Sequence, residues 1–263
     1  MARQEPYANR SGVDDPLDFT GKVVLVTGGT KGIGRGIAAR FAEVGATVIV
    51  CGRTDPGEQT PAFVACDVRD PEQVDAMVAS IAARFGRLDV TINNAGGSPP
   101  ADSATASPRF SESIIRLNLL APLHVSQAAN RVMQSQDEGG SIINITSVSG
   151  MRPTPTTAAY GAAKAGLLNL TQTLAMEWAP KVRVNAVSAG LIRTELAHLF
   201  YGDADGIARV DATVPLGRMG VPGDVADACL YLASPLASYV SGANIVLHGG
   251  GERPPFLDAA SET

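Results

Sequence analysis

Apolar residues run along this chain in short unbroken blocks, separated by stretches where they recur every three or four positions. Lys22–Val26 reads KVVLV, the pattern of a strand covered on both faces. Similar blocks predict strands over 22–27, 46–51, 62–66, 88–92, 140–146, 181–187 and 244–247. The periodic stretches predict helices over 33–44, 71–85, 108–135, 158–179, 195–201 and 223–233. Alternating strands and helices imply an α/β fold, a doubly wound parallel sheet of about seven strands with helices on both faces. Thr54–Pro61 is short and rich in Pro and Gly, so a loop or single turn is expected there. One domain over 19–251 follows, with a flexible polar lead-in over 1–18 and a tail over 252–263.

The first strand leads into Thr27-Gly28-Gly29-Thr30-Lys31-Gly32-Ile33-Gly34, and a helix pattern follows at once. Glycine permits a tight turn and close approach of a ligand, and a helix N-terminus offers free N–H groups and a positive dipole. Gly28, Thr30, Lys31, Gly32, Ile33 and Gly34 are therefore candidates for binding phosphate. The glycine spacing is G-x-x-x-G-x-G rather than the commoner G-x-G-x-x-G.

The second chemical signal is Ser147–Lys164, SVSGMRPTPTTAAYGAAK. Ser147 lies thirteen residues before Tyr160, and Lys164 follows Tyr160 at i+4. Positions i and i+4 share a helix face. An ammonium about 4 Å from the phenol is worth roughly 4 kcal/mol at an effective dielectric near 20. The expectation is a Tyr160 whose pKa is drawn down by Lys164 toward neutrality, able to work as a general acid or base.

Together these motifs resemble the short-chain dehydrogenase/reductase family over roughly residues 20–250. TGGTKGIG resembles that family's TGxxxGxG loop, and Asn93-Asn94-Ala95-Gly96 its NNAG motif. Asn118, Ser147, Tyr160 and Lys164 fall where its catalytic tetrad falls, and Arg183-Val184-Asn185-Ala186-Val187 matches its RVNxV segment. The resemblance implies a Rossmann-like fold and hydride transfer between a nicotinamide cofactor and a carbonyl or alcohol. It implies that Ser147 orients the carbonyl, Tyr160 protonates the alkoxide, and Lys164 holds the ribose. Asn118 would fix a water that links Lys164 to solvent. It also places Asp67 and Val68 against adenine, and Asn94, Ala95 and Gly96 along the ribose and nicotinamide. Gly190, Ile192 and Thr194 fall beside the carboxamide. One departure is Ala189-Gly190 in place of the usual Pro-Gly, which is expected to loosen that loop.

At the ribose 2′ position an acid selects NAD and an arginine accommodates the phosphate of NADP. Gly52 stands where NAD-selective relatives carry Asp, Arg53 follows it, and Lys31 lies in the glycine loop. NADP(H) is therefore the expected cofactor, with NAD(H) as the alternative if Asp55 swings in.

The net charge of −5 and the lack of a basic run give nucleic acid no electrostatic foothold. No apolar stretch approaches a membrane span, and Met1–Asp18 lacks the apolar core of a secretory signal. Cys51, Cys66 and Cys229 read as reduced, buried thiols of a cytoplasmic protein. His124, His198 and His248 have no metal-ligand spacing, so no metal is expected. Glu195–Pro215, with Leu196, Leu199, Phe200 and Tyr201, reads as an apolar lid over a mid-sized carbonyl or alcohol, with Gly202 and Gly206 as hinges. The helix at Ala158–Ala179 is small and apolar around its circumference and needs burial on two sides, and related enzymes pair it across two-fold axes. A homotetramer is expected, with a dimer as runner-up. Two other functions compete: a 3-oxoacyl-thioester (acyl-carrier-protein) reductase, and a regulatory scaffold that binds NADP without turnover.

Overall fold

The KVVLV block forms β1, Val23–Thr27, and every one of its five residues is buried. A computed structural model describes residues 15–55, 57, 62–252, 254 and 256, with only the backbone of Phe200. The lead-in over 1–14, most of the loop over 56–61 and most of the tail beyond 252 lie outside the described residues. After β1 come α1 (Gly32–Glu43), β2 (Thr47–Gly52), β3 (Ala62–Ala65), α2 (Pro71–Phe85) and β4 (Val90–Asn93). They are followed by α3 (Pro108–Ile115), α4 (Ala121–Ser135), β5 (Gly140–Ser147), α5 (Ala158–Glu177) and β6 (Val182–Ala189). The chain continues through α6 (His198–Tyr201), α7 (Ala204–Thr213), α8 (Pro222–Ala233) and β7 (Asn244–Leu247).

All seven strands are parallel, in the order β3-β2-β1-β4-β5-β6-β7. Successive strand residues point to opposite faces, so the sheet feeds two cores. Val23, Leu25, Ile49 and Ile142 pack with α2, α4 and α5. Val24, Val26, Val50, Ile143 and Ile145 pack with α1 and α8. The strand order reverses between β1 and β4, and a crevice opens there beyond the carboxyl ends of the strands, the place where such sheets bind ligands. This is the Rossmann-like, doubly wound sheet expected from the pattern.

Local sequence explains the helix ends. Asp70 caps α2 by accepting the Glu72 N–H, Pro71 is its first residue, and Gly86 stops it at φ 71°. The stretch 108–135 is continuous, but its middle, Arg116–Leu120, is a π-helical turn. Asn118 Nδ2 donates to the Ile114 carbonyl at 3.0 Å, taking the acceptor of the regular i→i−4 ladder and widening the helix.

Two expectations need correction. The connection after β6 is not loosened by Ala189: β6 pairs through Ala189 with Leu247, and Gly190 N–H donates to the Leu247 carbonyl at 2.8 Å. A side chain at Gly190 would fall 2.7 Å from His248 Cβ, so glycine lets β7 close on the loop. Residues 195–215 hold two helices, with Gly202 at φ 80° between them. Gly206 is not a hinge; it is buried in the first turn of α7, where a Cβ would meet the Tyr201 carbonyl oxygen at 2.1 Å.

Candidate active site

The crevice is a cleft of about 680 Å³ that collects the loops after β1, β2, β3, β4, β5 and β6. Gly28 and Gly32 have φ of 62° and 55°, conformations glycine adopts without strain. Gly28, Thr30, Lys31, Gly32 and Ile33 line the cleft floor. Gly34 does not line it. A Cβ there would sit 2.4 Å from both Asn94 Nδ2 and the Gly28 carbonyl oxygen, so this glycine lets the loop pack on Asn94. Asn94 Nδ2 in turn donates to the Thr27 and Gly28 carbonyls at 3.0 and 3.2 Å. Thr27 Oγ1 accepts the Asn94 and Ala95 N–H groups, both at 3.0 Å. The first and fourth strand ends are thereby locked together.

At one end of the cleft lie Arg53, Thr54, Asp67, Val68 and Arg69. Arg53 is exposed at a bend. Asp67 is gripped by Arg69, whose Nε donates at 2.9 Å and Nη2 at 2.5 Å. That pairing holds the Asp67 carboxyl below its usual range, against the opposing effect of burial. Arg69 was not singled out from sequence, although it stands two residues after Asp67. Cys51 and Cys66 also line this end, and their thiols hydrogen-bond to each other. The contact and burial push Cys51 up, and the contact pulls Cys66 down.

Ser147, Tyr160, Lys164, Asn94, Ala95, Gly96, Gly190 and Thr194 surround the other end. Ser147 closes β5, its Oγ accepting the Ser149 N–H at 3.1 Å. Tyr160 stands in the first turn of α5, hydrogen-bonded to Ser147. Lys164 is 3% exposed and its Nζ donates to the Ile145 carbonyl at 2.8 Å. The ammonium lies 5.6 Å from the centre of the Tyr160 ring. Here the expected electrostatics are reversed. Burial pushes the Tyr160 phenol above its usual value, only partly offset by the bond to Ser147. Lys164 is itself brought down to about 8 by burial. The i+4 spacing does put the two groups together, but desolvation outweighs their attraction.

Asn118 lies behind this end, fully buried. Its Oδ1 accepts the Gly97 N–H at 2.8 Å and its Nδ2 donates to the Gly97 carbonyl at 2.9 Å. With Ile114 as third partner its carboxamide is engaged on protein groups, so it holds the loop after β4. Ile192 is also outside the lining; it forms a bridge with Gly220. Sequence reasoning missed Gly97, Leu117 and Ile145, which line the cleft, whereas Leu196, expected in the covering segment, does line it. Gly97 sits one residue past the NNAG motif, while the Ile145 contact uses a backbone carbonyl that no residue type announces.

The loop over 151–157 covers the start of α5. Thr156 has a φ of 67°, a strained setting for a β-branched residue. Its carbonyl accepts the Ala101 N–H at 2.8 Å, joining this loop to the one after β4. Among the described residues no helix is long and apolar enough to cross a membrane.

A family model described as enoyl-(acyl carrier protein) reductase matches residues 28–252. The chain is 36% identical to a 3alpha-hydroxysteroid dehydrogenase of Mediterraneibacter gnavus, over 87% of this chain and 96% of the relative. It resembles the structure of Thermoplasma acidophilum aldohexose dehydrogenase with a TM-score of 0.84 and 36% identity, over 89% of this chain and 95% of the other. A short-chain type dehydrogenase/reductase from Mycobacterium marinum superposes with a TM-score of 0.83 at 35% identity, over 91% and 99% of the two chains.

Proposed function

Since the chain belongs to the short-chain dehydrogenase/reductase family and is an oxidoreductase acting on alcohols and ketones, we propose that it uses NADP(H) with Tyr160 as the proton-transfer group. The observation that carries this is the convergence of Ser147, Tyr160 and Lys164 at one end of a cleft whose far end presents Arg53. The residues present fit a dinucleotide. Gly28 and Gly32 turn the backbone along the cleft floor, the N-terminus of α1 faces the same floor, and the Arg53 guanidinium suits a 2′-phosphate. Gly28 to Ile33 would hold the diphosphate, Asp67 and Val68 the adenine, and Asn94 to Gly96, Gly190 and Thr194 the nicotinamide side. When bound, the cofactor supplies or takes up the hydride.

The chain's own groups handle the carbonyl and the proton. Ser147 Oγ donates to the carbonyl oxygen and fixes its direction. The elevated pKa of Tyr160 keeps its phenol protonated at neutral pH, which is the form that can donate to an oxygen becoming an alkoxide. Lys164 holds ribose hydroxyls from its buried position, and its charge attracts the phenolate left after transfer. Asn118 acts as a positioning residue through Gly97.

The substrate we favour is a small-molecule ketone or secondary alcohol with an apolar body. Leu117 and Leu196 line the cleft. A carrier-protein thioester would favour a basic docking patch, yet Arg131 is paired with Asp75. Free Cys51, Cys66 and Cys229 support a reducing compartment, the cytoplasm. The weakly amphipathic α5 and its exposed Met176 support a homotetramer. A screen of ketones, aldehydes and acyl thioesters against NADPH and NADH, read by nicotinamide absorbance, tests the function. Turnover of simple ketones with NADPH is expected. Turnover confined to acyl thioesters would move the assignment to lipid synthesis, and none with any carbonyl would overturn it.

A further inference from the structure

Glu195 follows Thr194 at the edge of the cleft, and its side chain reaches back to the glycine loop. Its Oε1 accepts the Gly32 N–H at 2.9 Å, across 163 residues of sequence. Arg35 Nη2 lies 3.8 Å from the same oxygen. Gly32 is the first residue of α1, so its N–H is one of those that a helix leaves without an internal acceptor. That bond is the main reason the Glu195 carboxyl sits below its usual range, so the side chain carries full negative charge at neutral pH.

The placement matters because Glu195 lies between two cleft residues. Thr194 and Leu196 both line the cleft, and so do Lys31, Gly32 and Ile33 on the opposite wall. Upstream, the connection is fastened by its backbone, with Arg193 N–H on the Gly220 carbonyl at 2.8 Å. At Glu195 a side chain takes over and bridges one wall to the other. The same helix end is where a diphosphate would seek donors and positive dipole.

We propose that Glu195 is a positioning residue with two effects. It clamps the wall bearing Thr194 and Leu196 to the glycine loop, and it sets a fixed negative charge beside the diphosphate so that the dinucleotide is released more readily. This rests on the reading of the cleft as a dinucleotide site. The clamp orders the groups that face nicotinamide and carbonyl. The charge weakens cofactor affinity, which suits an enzyme that must shed a spent cofactor on every cycle.

Three variants separate clamp from charge. Glu195→Gln keeps an acceptor oxygen and loses the charge. Glu195→Asp keeps the charge on a side chain one methylene shorter. Glu195→Ala loses both. Fluorescence titration should give Glu195→Gln an NADPH Kd roughly threefold to tenfold tighter than wild type, the size expected for removing a like charge several ångströms away in a partly solvated site. The Gln variant should also keep the wild-type KM for the carbonyl substrate, while the Asp and Ala variants raise it by about tenfold.

Hydrogen exchange of the Gly32 amide in the full chain without cofactor reads the clamp by itself. Slow exchange is expected in wild type and Glu195→Gln, and at least about tenfold faster exchange in Glu195→Asp. Equal exchange in wild type and Asp overturns the clamp, and an unchanged NADPH Kd in Glu195→Gln overturns the charge effect. If wild type binds neither NADPH nor NADH, the dinucleotide reading fails instead, and the Gly32 exchange still reports on the tie.

Discussion

Asn118 holds Gly97 from both sides, accepting its N–H at 2.8 Å and donating to its carbonyl at 2.9 Å. The pairing makes one buried side chain stand in for a strand neighbour, just where the chain leaves β4 and enters the active site. Replacing Asn118 with Ala leaves the Gly97 and Ile114 groups without these partners. An unpaired group costs about 1–3 kcal/mol when buried, as at Ile114, and less at the part-buried Gly97. Asn118→Ala should therefore lower the urea midpoint and reduce kcat, with a smaller effect on cofactor Kd. A variant as stable as wild type would mean that the loop does not depend on this clasp.

Tyr160→Phe should lose at least ~10²-fold in turnover, the low end for a positioned acid–base group, with little change in cofactor affinity. Burial raises the phenol pKa, so the two reaction directions should differ in pH dependence. Reduction needs the phenol and should be level from neutrality until the phenol ionises in the alkaline range, then fall. Alcohol oxidation needs the phenolate and should climb through the alkaline range. Near-wild-type turnover in the Phe variant, or matching profiles in both directions, would sink the proton-transfer role.

Lys164 gives a stability prediction of definite sign. Its pKa is about 8 in the fold against 10.5 as the ordinary value. Between those pH values the unfolded chain binds more protons than the folded one, so this group makes stability rise with pH and sets a penalty that is fully present below pH 8. The gap corresponds to about 3 kcal/mol at ~1.36 kcal/mol per pH unit, as an order of magnitude. Other alkaline groups also titrate, so the readout is the difference between wild type and Lys164→Met. Wild-type urea stability should gain on the variant's as pH goes from 7.5 to 10. Parallel curves would show that the ammonium is better solvated than its burial implies.

Arg53→Ala should weaken NADPH roughly 10–150-fold, the equivalent of about 1.5–3 kcal/mol for a hydrogen bond to a charged group. NADH binding should be spared. Wild-type preference for NADH in direct titration would reverse the cofactor assignment and direct attention to Asp55.

Light scattering at micromolar concentration should give four chains per particle. Met176 is 83% exposed in the single chain and should become protected from oxidation in the assembly. A stable monomer would contradict the burial argument for α5.

Most of the fold was legible because its signals are local. β-branched runs such as Val23–Val26 are buried on both faces, and Asp70-Pro71 and Gly86 punctuate α2. The α7 helix was missed because Gly206 near its start reads as a breaker, whereas in place it allows contact with the Tyr201 carbonyl. The π turn at Arg116–Leu120 depends on where one carboxamide points, a choice that composition does not record. At the site, spacing placed Tyr160 and Lys164 together but could not weigh attraction against burial. That balance depends on how deeply Lys164 sinks, and the fold alone decides it.

The reversal of strand order between β1 and β4 has a consequence for how this architecture diversifies. The parts suited to nucleotide are built into sheet register, as in the Thr27–Asn94 lock across two strand ends. The parts suited to carbonyl hang from connections after β4, β5 and β6, where insertions and exchanges leave every strand partner in place. Selection can therefore rewrite the mouth of the cleft while the hydride chemistry keeps its frame.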